Sequence, residues 1–310
     1  MNAPQRITTA DALAAAQETR DLEIGQGVLS STAGMFQKHF DGRTAVVVAD
    51  SNTYAAAGHS VLAAIRASGL PTLDPFIFTD DDLYAEYRFV ARLAESLRGH
   101  WAIPVAVGAG TINDLVKLAA HRSGRQYLCV ATAASMDGYT AYGSSITYEG
   151  SKQTFDCPAP IGVIADLDVI AAAPAEMKAW GYADLLAKVT AGADWIVADL
   201  LGVEPIVELP WNIVQGGLRQ AVGDPTGIAS GDTVALAGLV EGLMLGGFAM
   251  QAMRSSRPAS GAEHQFSHLW DMQHHTPQRH APSHGQKVGV ATVAVTALYE
   301  QLLACPTMPI

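Results

Sequence analysis

IPVAVGAGTINDL, residues 103–115, reads as a short apolar strand that runs through two glycines into a helix. The Val-containing run is too short for a helix of useful length and fits a strand buried on both faces. Gly108 and Gly110 remove side chains where the chain turns, Thr111 can cap the helix, and Asp114 sits in its first turn. Small residues at such a turn let backbone N–H groups approach an anion at the positive end of the helix. A tight strand-to-helix turn without a ligand has the same appearance, because the pattern is neither GxGxxG nor a Walker loop.

Outward from this stretch the grammar repeats. TAVVVAD (44–50) reads as a strand, 55–67 as a helix, and TLDPFIF (72–78) as a strand. An acidic start at Asp80 to Asp82 leads into a helix ending near Leu97. After the 103–110 strand and turn come a helix over 111–121, the strand YLCVAT (127–132) and the apolar strand VIADLDVI (163–170). Strands alternating with helices predict a mostly parallel sheet covered by helices. Beyond Pro174 only helices are read: 175–202, a broken stretch over 211–229, 232–253, 261–272 and 284–303. The expected fold is an α/β N-terminal nucleotide-binding domain with a parallel sheet (1–172) followed by an all-α C-terminal domain (173–310), with a ligand cleft between them.

Composition narrows the function. Thirty acidic against 19 basic side chains give a net charge of -11, and no basic run exceeds two residues, which excludes a nucleic-acid surface as the expected partner. Hydrophobic residues at 49% supply a large core. No apolar stretch long enough for a membrane span runs uninterrupted, and the first 20 residues lack the apolar region of a signal peptide, so a cytoplasmic protein is expected. Cys129, Cys157 and Cys305 form neither a CxxC pair nor a disulfide framework and are read as reduced and structural.

Two further constellations carry chemistry. In Thr132-Ala133-Ala134-Ser135-Met136-Asp137, directly after a strand, Thr132 and Ser135 are donors for phosphate or ribose and Asp137 is an acceptor for a substrate hydroxyl. A polar turn with an Asx cap accounts for the same residues. Six of the ten histidines (His264, His268, His274, His275, His280, His284) fall between 264 and 284. Ser260 and Glu263 have capping-box spacing, so a helix starts there and carries His264 and His268 on one face. Gln265 follows His264, so the HExxH of a metalloprotease is absent. Asp184 lies in an apolar helical stretch, GYADLLAK (181–188), where it either pairs with Lys188 at i+4 or joins two imidazoles. One oxygen and two nitrogen ligands with open positions make a catalytic metal site. His274, His275 and His280 are read as solvated.

Taken in order, GAGTINDLVKL, ATAASMDGY, VIADLDVI, GYADLLAK, RPASGAEHQFSH and HGQKVGV resemble the sn-glycerol-1-phosphate dehydrogenase family. That family stands within the dehydroquinate synthase-like and iron-containing alcohol dehydrogenase superfamily, and the resemblance runs from about residue 20 to the C-terminus. It implies that Gly108, Ala109, Gly110, Thr111 and Ile112 cradle the pyrophosphate of NAD or NADP, that Thr132 and Ser135 contact this cofactor, and that Asp50 holds a ribose. It implies a divalent metal (zinc, iron or nickel) on Asp184, His264 and His284, with Asp137, Asp184 and His268 around the substrate and His268 able to relay a proton. The implied reaction interconverts glycerol 1-phosphate and dihydroxyacetone phosphate by hydride transfer, in a cytoplasmic homo-oligomer.

Two departures from the family stand out. Ala141 occupies the place of a serine that approaches the cofactor, and the helical domain is short after the HG motif. The alternatives are a glycerol or polyol dehydrogenase of the same fold, a dehydroquinate synthase-like lyase that returns NAD unchanged, and a non-catalytic homologue. For a substrate phosphate, Lys152, Arg254, Arg257 and Arg279 are available.

Overall fold

Valine and alanine runs with no polar interruption can form only the inner strands of a covered sheet, and they do so here. The computed structural model describes residues 3–273 and 282–305. Its strands are β1 (Asp21–Gly25), β2 (Ala45–Asp50), β3 (Phe76–Phe78), β4 (Ile103–Gly108), β5 (Leu128–Ala131), β6 (Ser144–Tyr148), β7 (Ser151–Phe155) and β8 (Gly162–Asp166). Six of them make one sheet in the order β1-β8-β5-β4-β2-β3, while β6 and β7 pair as a separate hairpin. Every pair in the six-stranded sheet is parallel, with Val47 opposite Val105, Val107 opposite Val130 and Val130 opposite Ile164.

Side chains alternate across this sheet. Val46, Val48, Ala106 and Cys129 face one layer, with Phe89, Leu93 and Leu115. Val47, Val105, Val107 and Val130 face the other, with Phe36, Val61 and Ile65. Burial on both faces is why these strands carry no polar side chain at alternate positions.

Several boundaries differ from the sequence expectation. The 163–170 strand is instead β8 followed by the helix Leu167–Ala172, because the Asp166 carboxylate accepts the Asp168 N–H and starts a helix there. The 72–78 strand contracts to Phe76–Phe78, with Thr72 bridging Ala45 in isolation. The helix expected from Asp80–Asp82 begins at Tyr87, and Asp80 and Asp82 pair with Arg92 and Arg88 instead. Thr111 is not the cap of its helix, since Ala109 occupies that position.

The second half is helical as read: Ala175–Leu186, Lys188–Leu200, Glu208–Ala221, Pro225–Ser230, Thr233–Met253, Ala262–Met272 and His284–Ala304. Helix Thr233–Met253 is long and apolar enough, by length and composition, to cross a bilayer. Here its Leu239, Leu243 and Met244 are buried in the core instead. The N-terminal helix Thr9–Ala15 crosses to this half, where Ala12 and Ala16 pack with Ile213, Val214, Phe248 and Ala249.

Candidate functional site

The turn after β4 has the shape of an anion cradle. Helix Gly110–Arg122 starts with Ala109 as its N-cap, and no side chain accepts from its first N–H groups. Those donors therefore need an outside partner, and the helix dipole favours an anionic one. A Cβ on Gly110 would press on Met136 at 2.9 Å, so glycine lets the turn lie against the loop that carries Asp137. Thr132 continues from β5 beside the turn, its N–H bonding to the Gly108 carbonyl at 3.2 Å. Ser135 is partly buried in the same loop. Asp50 ends β2, where its Oδ1 caps the next helical turn by accepting from the N–H groups of Asn52 (2.8 Å) and Thr53 (2.9 Å).

The loop itself is fastened from below by Lys117, a residue that no motif singles out. Its fully buried ammonium donates to the carbonyls of Gly138 (2.9 Å), Ala141 (2.8 Å) and Gly143 (3.0 Å). Ala141 thus contributes its backbone, while its methyl packs with Met250 and Ala259.

Asp184, His264 and His284, from three different helices, place one ligand atom each within 4.8 Å of one another. Two close approaches bring this about. A Cβ on Gly181 would lie 2.8 Å from the Ala134 carbonyl carbon, so glycine lets helix Ala175–Leu186 press Asp184 against the 132–137 loop. A Cβ on Gly285 would lie 2.6 Å from Cα and carbonyl C of Trp180, so the helix that starts at His284 also needs glycine to reach Asp184. Ser283 caps that helix in a full capping box with Gln286. Helix Ala262–Met272 has no such box: Gly261 is its N-cap and Ser260 makes no cap, which corrects the expectation from their spacing.

Glu263 does something else. Completely buried, its carboxylate accepts from the Gly261 N–H (2.7 Å) and the Thr190 hydroxyl (2.8 Å), and it lies 2.7 Å from His264 Nδ1. A proton on Nδ1 bonded to Glu263 leaves the Nε2 lone pair directed at Asp184 Oδ1, 3.6 Å away. Sequence reading missed this role, although a carboxylate next to His264 was visible.

Asp184 faces both Lys188 and the two imidazoles. Its Oδ1 is 3.0 Å from Lys188 Nζ, 3.6 Å from His264 Nε2 and 4.0 Å from His284 Nε2, and its Oδ2 accepts the Asp137 N–H at 3.0 Å. Lys188, fully buried, also pairs with Asp137 Oδ2 at 2.7 Å. Burial alone would raise Asp184, but Lys188 and the two imidazoles hold it far below the usual carboxylate range. Asp137 moves the other way, raised by burial and by the charge of Asp184, so it is the member of the pair that takes a proton first. Burial lowers His284 to about 3, helped by neighbouring His264, which keeps its imidazole neutral as a metal ligand must be. Burial would lower His264 as well, yet the neighbouring carboxylates of Asp184 and Glu263 raise it. The carboxylate, the two imidazoles and their spacing fit a divalent cation, with coordination positions left for substrate.

His268 lies one turn beyond His264 on the same helix, partly buried, and burial followed by the His264 charge lowers it. His274, His275, His280 and Arg279 lie outside the described residues.

The chain is similar in sequence and in fold to known proteins. A family model described as iron-containing alcohol dehydrogenase matches residues 23–174. A glycerol-1-phosphate dehydrogenase [NAD(P)+] of Halalkalibacterium halodurans is 35% identical over 82% of this chain and 64% of its own length. The protein of that name from Geobacillus thermodenitrificans is 32% identical over 91% of this chain and 71% of its own. The chain therefore spans about two thirds of the length of these relatives. Among solved structures, the glycerol dehydrogenase of Schizosaccharomyces pombe superposes with a TM-score of 0.70 at 18% identity, covering 97% of this chain and 74% of that one.

Proposed function

Since the chain belongs to the glycerol-1-phosphate dehydrogenase family of the iron-containing alcohol dehydrogenases, we propose that it interconverts sn-glycerol 1-phosphate and dihydroxyacetone phosphate with NAD or NADP. The observation that carries this reading is the convergence of Asp184, His264 and His284 beside the Asp137 loop, which packs on the turn at Gly108–Ile112. A divalent zinc, iron or nickel ion and a nicotinamide, when bound, would supply the Lewis acid and the hydride carrier for oxidation at C2.

The chain's own residues bind and orient. The uncapped N–H groups of Gly110, Thr111 and Ile112 take the cofactor pyrophosphate, with Thr132 and Ser135 as further donors and the free Oδ2 of Asp50 for a ribose hydroxyl. Asp184, His264 and His284 hold the cation, Glu263 fixing the tautomer of His264. Lys188 positions both acids, so that Asp137 can accept from a substrate hydroxyl while Asp184 stays ionised. His268, neutral and partly buried, relays the hydroxyl proton towards solvent.

We divide the chain into a nucleotide-binding domain (1–172) and a helical metal- and substrate-binding domain (173–310), a division supported by the helix end at Ala172 and the new helix after Pro174. A cytoplasmic homo-oligomer completes the reading, supported by the exposed apolar residues Val290, Val293, Leu298 and Leu302 along helix His284–Ala304. The test is absorbance at 340 nm with metal-replete protein, NADH or NADPH, and dihydroxyacetone phosphate or dihydroxyacetone. Oxidation that depends on the phosphorylated ketone supports the reading. Oxidation with dihydroxyacetone alone assigns a polyol dehydrogenase instead.

A further inference from the structure

Most cations that could meet an anionic substrate group are already engaged. Arg254 lies over the Tyr142 ring and 4.0 Å from Glu18, and Arg257 pairs with Glu204 at 2.9 Å. Lys117 is saturated by three carbonyls and Lys188 by two carboxylates. Lys152 differs. It stands on β7, is partly buried, and its ammonium makes no hydrogen bond or ion pair among the described residues.

The elements around Lys152 form two rungs. His264, His268 and Asp271 recur at i, i+4 and i+7 and share a face of helix Ala262–Met272. His284 and Lys287 share a face of helix His284–Ala304, which packs against the first, and Lys287 pairs with Asp271. The first rung holds the three proposed metal ligands. The second, about 6 Å further along the helix axis, holds His268 and the Lys287–Asp271 pair. Strand β7 packs on helix Ala262–Met272 and brings Lys152 to it. An electrostatic influence of Lys152 on His268 and His284 agrees with this packing. Lys287 and Asp271 pair with each other, whereas Lys152 forms no ion pair with either.

We propose that Lys152 binds the phosphate of a phosphomonoester substrate at this second rung, with the Lys287–Asp271 pair and His268 as its walls. The inference rests on the reading that the reacting oxygen sits at Asp184, His264 and His284. In glycerol 1-phosphate the phosphate is joined to the reacting carbon through one methylene and an ester oxygen, which suits a pocket one helical turn away. A partly buried ammonium without a partner costs stability until an anion arrives. Lys152 is thus the residue that separates phosphorylated from unphosphorylated substrates.

The test measures binding of inorganic phosphate by calorimetry to the metal-loaded wild type, Lys152→Met and Lys152→Arg, alongside KM and kcat for dihydroxyacetone phosphate. Loss of one charged hydrogen bond predicts roughly 10- to 100-fold weaker phosphate binding and a matching rise in KM for Lys152→Met, largely restored by Lys152→Arg. Methionine also removes an unpaired cation, so the Met variant should unfold no earlier than wild type without phosphate. Phosphate should then raise the melting temperature of wild type alone among those two. Absent phosphate binding in the wild type, equal binding by Lys152→Met, or a Met variant less stable without phosphate overturns the inference. Because phosphate binding is read without turnover, these outcomes stay separate from the wild type's failure to reduce dihydroxyacetone phosphate, which would overturn the functional reading instead.

Discussion

Replacing Glu263 by glutamine removes one charge from the environment of His264 and little else. The carboxylate has three partners: the Gly261 N–H at 2.7 Å, the Thr190 hydroxyl at 2.8 Å and His264 Nδ1 at 2.7 Å. A glutamine whose amide oxygen takes the Oε1 position still serves Gly261 and His264. Its NH2 then faces Thr190 Oγ1, which can turn its proton wholly to the Ala187 carbonyl 2.9 Å away and accept from the amide. No buried group is left without a partner, so the fold should persist. What is lost is charge assistance: hydrogen bonds to ionised groups contribute about 1.5–3 kcal/mol and neutral ones about 0.5–1.5. The difference of about 1–2 kcal/mol corresponds to roughly 5- to 30-fold in metal affinity. Competition against a chromophoric chelator measures it, with circular dichroism and NADH binding as controls. If Glu263→Gln holds zinc within about twofold of wild type, by the same conversion, the assignment of Glu263 as the residue that orients His264 is wrong. Glu263→Ala should also destabilise the fold, because it strands the Gly261 N–H at about 1–3 kcal/mol.

Further expectations follow from the same geometry. Chelation of the metal should abolish turnover and leave NADH binding intact, since the Gly108–Ile112 turn shares no residue with the metal ligands; a fluorescence titration of apoprotein checks this. Gly285→Ala forces a methyl against the backbone of Trp180 and should cost about 1–3 kcal/mol, with weaker metal binding because His284 is displaced, both read from thermal melts with and without zinc. Lys117→Met strands three buried carbonyls and should loosen residues 138–143, seen as faster amide exchange there. Burial pushes the thiols of Cys129 and Cys157 up to about 12, so an aromatic disulfide at pH near 8 should titrate only exposed Cys305 in the native protein and all three after unfolding. Because the unfolded thiols ionise first, these two groups also make stability fall as pH rises above about 9.

The inner strands were legible because a covered parallel sheet demands uninterrupted apolar runs, and TAVVVAD and IPVAV supply them. β1 and the β6–β7 hairpin were not. DLEIG and SKQTF carry acids, lysine and glutamine because they lie at the sheet edge or outside it, where burial imposes no pattern. VIADLDVI misled for a local reason: its apolar content suits a strand throughout, and only the cap made by Asp166 converts its second half to helix. The Ser260–Glu263 spacing misled for a tertiary one. Glu263 does reach back to the helix start, but Thr190, from a helix 73 residues away, and His264 claim the rest of its carboxylate.

Asp184, His264 and His284, proposed above as the metal ligands, were legible as residue types, and their assembly depends on something the residue types alone do not contain. Each ligand has a glycine within three positions: Gly181 before Asp184, Gly261 before His264 and Gly285 after His284. Each glycine sits where a Cβ would meet another segment, Ala134, Asp194 or Trp180 respectively. A ligand atom must be placed to a few tenths of an ångström, and the interhelical distance that places it is set by how closely the backbones approach. The glycines of GYAD, SGAEH and HG are therefore as much a part of the proposed metal site as the three residues they accompany. A chain that kept Asp184, His264 and His284 but carried alanine at 181, 261 and 285 would retain the donor set and lose the spacing that lets three helices share one ion.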